Sequence, residues 1–310
     1  MNAVDRARFW ISRKLSHFLL HHRFKGSLLL RKHLCSLLTP RAPHGPLICD
    51  TIFGVRMRVD PLTHKGLEGS IYYFGEYEAG TLYVLEHLLG NGDIFLDVGA
   101  NIGFLSIVAA RFVGKDGLVY AVEPHPLIFK ELLENISLNQ AKNIVPINVA
   151  LGSGPSEAIL YDKPDVNWGS ASLIPPKNCG MTTRWPVKVV SIDGLIQSGR
   201  IQAPDVVKID VEGFELEVLK GAKNLLSSPG APALCIEFST LHPVHGGDLG
   251  DLYDFVREIN RFFKLRYGKE VPSRLVEITK DELPKHDNLF CLLPKHISRI
   301  SRKGKVLSTV

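Results

Sequence analysis

The sequence predicts an open, doubly wound α/β sheet, and three observations carry that expectation. Apolar strand-like runs alternate with longer segments of helical periodicity through most of the chain. One apolar run, Ile94–Val98, passes through a turn with two glycines, Asp97-Val98-Gly99-Ala100-Asn101-Ile102-Gly103, straight into an apolar-periodic helix. Three of the runs end on or beside an acid, namely Asp97, Glu123 and Asp210. Open sheets of this kind bind ligands at the carboxyl ends of their strands.

The chain has 310 residues, enough for one large domain with additions, and 45% hydrophobic against 22% charged residues is an ordinary globular balance. No apolar run approaches the ~20 residues that span a bilayer. The start is a poor match to a signal peptide. Cys35, Cys49, Cys179, Cys235 and Cys291 are dispersed without a C-x-x-C pair, so neither a zinc site nor a disulfide framework is expected. That usage fits a reducing, cytoplasmic setting and no bound metal.

Charge is uneven. Residues 1–45 hold nine Lys or Arg against Asp5 alone, which puts +8 there and leaves −3 on the remainder of a chain whose net charge is +5. A non-basic body argues against a nucleic-acid partner. Within residues 1–45, Phe9, Trp10, Leu15, Phe18, Leu19, Leu28 to Leu30, Leu37 and Leu38 interleave with the bases at roughly helical spacing. Such an extension suits a peripheral contact with an anionic membrane, or packing on the domain or on a second subunit. Pro40, Pro43, Gly45 and Pro46 mark a linker. The expected organisation is therefore an extension over 1–45, a catalytic domain over 46–294 and a basic tail over 295–310.

The remaining elements follow in order. Leu47–Asp50 and Val55–Val59 read as a hairpin turning at Phe53-Gly54. Glu78–Leu89 is helical, with Leu82, Leu85 and Leu89 at core spacing. After Ile94–Val98 come a strand Leu118–Glu123, a helix Pro126–Asn139 opened by proline, and a strand Ile144–Val149. Glu157–Tyr161 and Pro186–Val190 look like extra strands around a polar loop containing Gly169 and Ser170. Asp193 reads as a helix cap. Asp205–Asp210 is the fourth strand, with Lys208 and Asp210 on one face, an expected ion pair because unpaired buried lysine is rare. A helix reaches Lys223, Pro232–Glu237 is the fifth strand, Asp248–Phe263 is helical, and Phe263–Tyr267 with Asn288–Leu293 form a closing hairpin.

The turn does not match a dinucleotide fingerprint, because Ala100 and Asn101 stand where more glycine is expected. Gly99, Asn101 and Gly103 tolerate left-handed conformations, and the helix N-terminus offers amide donors to a ligand. Asp97 suits an ammonium group better than a pyrophosphate, and Glu123 stands where an acid holds a ribose diol. Together they suit a cationic nucleoside carrying an amino acid, S-adenosylmethionine.

The stretch Asp97 to Gly103, then Glu123-Pro124-His125-Pro126, then Val207-Lys208-Ile209-Asp210-Val211-Glu212-Gly213-Phe214-Glu215 closely resembles the FkbM-type methyltransferases. Tyr77-Glu78, Asn135, Asn139, Ala150-Leu151-Gly152 and Leu219-Lys220-Gly221-Ala222 add to the resemblance, which covers roughly Ile71 to Pro294. It implies a seven-stranded class I methyltransferase (Rossmann-like) sheet with an antiparallel last strand. It also implies methylation, by S-adenosylmethionine, of a hydroxyl on a sugar, glycan or secondary metabolite. The expected cofactor site is Glu78, Asp97, Gly99, Ala100, Asn101, Gly103, Glu123, Pro124, Ala150 and Asp210. Asp210, Glu212 or His242 could serve as base, with Gly169, Ser170 and Glu237 toward the acceptor. RNA methylation and an NAD-dependent oxidoreductase are the alternatives.

Overall fold

The computed structural model describes residues 3–22, 24, 26–162, 171–175, 183–240, 249–258, 260–304 and 306–307. Eight strands form the central sheet. Their chain-order labels are β3 (Ile94–Val98), β4 (Leu118–Val122), β5 (Ile144–Ile147), β9 (Val206–Ile209), β10 (Ala233–Ser239), β11 (Arg261–Leu265), β12 (Leu275–Glu277) and β13 (His286–Leu292). The spatial order is β12-β11-β13-β10-β9-β3-β4-β5, parallel from β10 to β5 and antiparallel where β13 joins β10. Seven strands match the expected sheet; β12 adds an eighth at the edge, antiparallel to β11. It also separates β11 from β13 in sequence, so the two pair directly but do not close a simple hairpin.

The near-continuous apolar strands are explained by burial on both faces. Phe95, Val119, Val206 and Cys235 point into one core, while Leu96, Tyr120, Val207 and Leu234 point into the other. Helices α4 (Ala79–Leu88), α5 (Phe104–Phe112) and α6 (Pro126–Leu138) cover the first face. Helices α7 (Ile192–Gln197), α8 (Glu215–Lys220), α9 (Lys223–Leu226) and α10 (Leu249–Arg257) cover the second. The helix expected after Glu212 is thus two short ones. Asp193 does cap a helix, but not its own: Ser191 caps α7, and the Asp193 carboxylate accepts from the Asn224 and Leu225 amides that open α9.

A hairpin, β1 (Leu47–Asp50) and β2 (Arg56–Val59), lies beside α6. The asparagines at 135 and 139 have a plain structural job there. Asn135 Oδ1 accepts from the Arg58 amide at 2.7 Å and Asn139 Oδ1 from the Arg56 amide at 2.9 Å, satisfying the open edge of β2. A small sheet, β6 (Ala150–Leu151), β8 (Arg184–Val190) and β7 (Ser156–Tyr161) in that order, follows β5.

Helices α1 (Ala3–His21) and α2 (Ser27–Leu38) pack against each other and against α3 (Leu67–Phe74), an element the sequence pattern did not single out. Residues 295–303, read from the sequence as part of a basic tail, belong to helix α11 (Pro294–Lys303), whose Ile300 is fully buried and whose Arg299 pairs with Asp93 at 2.6 Å. Among the described residues no helix is long and apolar enough to cross a membrane.

Candidate active site

The carboxyl ends of β3, β4 and β9 meet in a cleft lined by Tyr77, Asp97, Glu123, Ala150, Asp210 and Glu237, among others. The turn after β3 forms its floor. Gly99 has φ of 83°, and a Cβ there would lie 1.8 Å from the Asp210 carbonyl oxygen, so this position excludes every side chain. Asn101 is also left-handed, and Gly103 leads into α5. The first three amides of this turn are spent within the protein. Gly99 and Ala100 both donate to the Val122 carbonyl at 2.9 Å, and Asn101 donates to Glu123 Oε2 at 2.9 Å.

Asp97 is buried at the end of β3. Ser106, in the first turn of α5, donates to its Oδ2 at 2.6 Å, while Oδ1 has no hydrogen-bond partner among the described residues. A buried carboxylate oxygen left without a partner is costly unless a ligand supplies one. Burial pushes the Asp97 carboxyl up, with Lys208 opposing. Glu123 closes β4 and accepts from the amides of Asn101 and His125, each at 2.9 Å. Burial pushes it up to about 7 against those two bonds. Pro124 lines the cleft beside it, and His125 caps α6, accepting at Nδ1 from Leu127 and Ile128. That leaves Nε2 to donate to Asp162 at 2.8 Å, which ties β7 to the cleft together with a bond from Trp185. Val149, Ala150 and Leu151 provide an apolar wall.

The opposite wall is assembled from distant segments. Lys208 pairs with Asp210 at 2.8 Å, as its strand register suggested. Lys269 bridges Glu237 at 2.6 Å and Glu78 at 2.9 Å. Asn288, opposite Glu237 on β13, donates to Glu78 Oε2 at 2.8 Å. Glu78 is fully buried in this network and is not among the residues lining the cleft; its neighbour Tyr77 is. Burial works against the charge on Asp210, but Lys208 and then Lys269 override it and hold the carboxyl down at about 2. Burial and then the Asp210 charge push Glu237 up to about 9, against Lys269. Oxygens of Glu78, Asp210 and Glu237 lie within 4.8 Å of one another, and the two lysines supply positive charge at that cluster.

Glu212, left-handed at φ 56°, lines the cleft, and its carbonyl accepts from Ser172. Glu215 staples the same turn by accepting from the Val211 and Gly213 amides, each at 3.1 Å. Gly169, Ser170 and His242 lie outside the described residues. Lys269 and Asn288 escaped the sequence reading because neither belongs to a motif. The one available signal was Gly80, beside Glu78: a Cβ there would meet the Lys269 and Val271 carbonyls at 2.7 Å, so its absence lets the Lys269 loop press onto α4.

A cleft with an apolar wall, a ribose-type acid and a partnerless buried carboxylate oxygen fits S-adenosylmethionine, the methyl donor of class I methyltransferases. The methyltransferase FkbM domain model matches residues 97–270. The chain belongs to the FkbM methyltransferase family, and S-adenosylmethionine is its cofactor. It is 35% identical over 136 residues to the hexuronic acid methyltransferase AglP of Haloferax volcanii, covering 44% of this chain and 52% of that one. It is 26% identical over 162 residues to the methyltransferase sdnD of Sordaria araneosa, covering 43% and 61%. The chain thus spans little more than half the length of these relatives. Among solved structures it is similar to M. jannaschii TYW2 in complex with AdoMet, at 13% identity and TM-score 0.39, covering 82% and 87%.

Proposed function

We propose that this protein methylates a hydroxyl of a sugar or glycan with S-adenosylmethionine. The observation that carries the reading is the convergence of Asp97, Glu123 and Asp210 from three neighbouring strand ends on one cleft. A relative named for a hexuronic acid supports a sugar acceptor. A net charge of −3 outside residues 1–45 disfavours RNA as the alternative acceptor.

When bound, the cofactor supplies a methyl group activated by a sulfonium charge. Glu123 would hold the ribose hydroxyls, Ala150 and Leu151 would flank the adenine, and the partnerless Asp97 oxygen would meet the amino end. Asp210, held ionised by Lys208, suits a cationic centre but is a weak base. A base positioned against the alcohol is worth ~10²–10⁴ in rate, and Asp210 and Glu237, whose oxygens lie within 4.8 Å of one another at the cleft, are the carboxyls placed to share that proton. In this reading Glu237 joins Asp210, Glu212 and His242 as a candidate for the base, and Glu212 helps to place the acceptor.

Calorimetric titration with S-adenosylhomocysteine and with NADH tests the cofactor. Heat with NADH alone would sink the reading. Glu123→Ala should weaken S-adenosylhomocysteine by at least the ~1.5–3 kcal/mol of a hydrogen bond to a charged group. Unchanged affinity would remove Glu123 from the site. For the acceptor, uronic acids and neutral glycosides are offered with methyl-labelled cofactor, and a product methylated on nitrogen or carbon would refute the hydroxyl assignment.

A further inference from the structure

The two N-terminal helices present an outer surface that methyl transfer does not use. They run antiparallel, pinned by Ser12 to Thr39 at 2.8 Å, Arg31 to Ser16 at 3.0 Å and Arg8 to the Leu37 carbonyl at 3.0 Å. Their inner sides are committed to the domain. Arg13 is buried, donating to the Ile71, Tyr72 and Tyr73 carbonyls at the end of α3, and Arg31 is buried against Glu76. Arg13 and Arg31 are therefore structural, one capping a helix C-terminus and one in a buried ion pair.

The outer sides are different. Val4, Ile11 and Phe18 recur at seven-residue spacing on α1, and Leu30 and Leu37 do so on α2, which places each set on one helix face. All five are exposed, Leu37 to 73% and Val4 to 68%, and Trp10 and Leu29 add 62% each. So many large apolar side chains on one small unit mark an interaction surface. The bases Arg6, Lys14, Lys32 and Arg41 are also exposed on this unit, with Asp5 as its one acid.

We infer that the outer face of the α1–α2 pair docks on an anionic lipid bilayer, with the helices lying in its plane. Apolar side chains interleaved with bases are what such an interface takes up. Charge decides against a second copy as the occupant, because that contact would press two basic surfaces together. The pair is fastened to the catalytic body just before the cleft: Ser16 donates to the Phe74 carbonyl at 2.7 Å, and Arg31 holds Glu76, next to Tyr77 in the cleft wall. Docking would thus hold the cleft at a fixed place relative to the membrane, whatever acceptor it methylates.

Flotation of the full-length protein with phosphatidylcholine vesicles, with and without phosphatidylglycerol, tests this directly. The protein should float only with the anionic vesicles, and less as salt rises. Each of Arg6→Ser, Lys14→Ser and Lys32→Ser should weaken partitioning about fivefold, the equivalent of ~1 kcal/mol per base. The triple variant Ile11→Ser, Phe18→Ser and Leu37→Ser, all at exposed positions, should abolish flotation with an unchanged melting temperature. No flotation of the wild type, or flotation indifferent to these substitutions, overturns the inference. So does a concentration-dependent dimer in sedimentation velocity that the triple variant dissociates, since the face would then join two copies of the chain.

Discussion

The two walls of the cleft are built on different length scales. On the cofactor wall, Asp97 is held by Ser106 nine residues on, and Glu123 is held by Asn101 and His125, 22 and two residues away. On the opposite wall, Lys269 reaches Glu237 across 32 residues, and Asn288 reaches Glu78 across 210. A short-range cradle must repeat its residues at fixed spacing and so leaves a motif. A long-range network needs only that the fold bring the charges together, and leaves none. The difference also separates their energetics: the first wall can bind through partly satisfied acids, while the second must balance several buried charges at once.

The largest expected effect tests that balance. Lys269→Met removes the ammonium shared by Glu78 and Glu237 and should cost ~3–5 kcal/mol of stability, the usual result of leaving a buried charge unpaired. Urea unfolding measures it. A midpoint equal to wild type would mean that the Lys269 wall is no more coupled than the cofactor wall.

Asp210→Asn, at the junction of the walls, should act next most strongly. It keeps the shape and removes the ionised carboxylate beside Lys208. Because only S-adenosylmethionine carries the sulfonium charge, its affinity should fall about tenfold or more, with S-adenosylhomocysteine much less affected; a tenfold loss is ~1.4 kcal/mol, within the range of a charged hydrogen bond. If both affinities stay the same and kcat alone drops by ~10²–10⁴, Asp210 is the base and Glu237 is not.

The smallest effect is on pH dependence. Burial raises Glu123 and Glu215 to about 7 and Glu68 to about 8, so each binds a proton more tightly in the folded chain than in the unfolded one. Raised carboxyls contribute stability that is complete below their ordinary pKa of about 4.5 and is lost as pH rises through the folded value. The protein without cofactor should therefore melt several degrees lower at pH 8 than at pH 5. Glu123→Gln should reduce that slope. Buried histidines held below their usual value, His296 at about 4 among them, work in the opposite direction. The decisive result is therefore the variant: a slope that Glu123→Gln leaves unchanged would show that Glu123 is ionised in the folded state.

Residues tied to a local constraint were legible in advance. Gly99 had to be glycine because a backbone carbonyl fills the place of its Cβ, and Lys208 had to find an acid because a buried ammonium cannot stand alone. The alternation of apolar runs with periodic helices predicted the layered α/β sheet because both of its faces are buried. Element edges and partners were less legible. Asp193 was recognised as a cap, yet it caps α9 rather than its own helix, since its reach depends on how α7 and α9 pack.

By itself, then, the sequence determined the sheet, the turn at Gly99 and the acids at the strand ends, all of which rest on interactions between residues close in the chain or on simple burial. Tertiary structure alone decided that the turn amides are spent on Val122 and Glu123, that Glu78 lies behind Tyr77, and that Lys269 sits among three acids. It also decided which bases of the N-terminal helices turn inward, Arg13 and Arg31, and which face out. The physical reason is the same in each case. Whether a polar group is spent or available depends on partners many tens of residues away, and only the folded chain brings them within hydrogen-bonding distance.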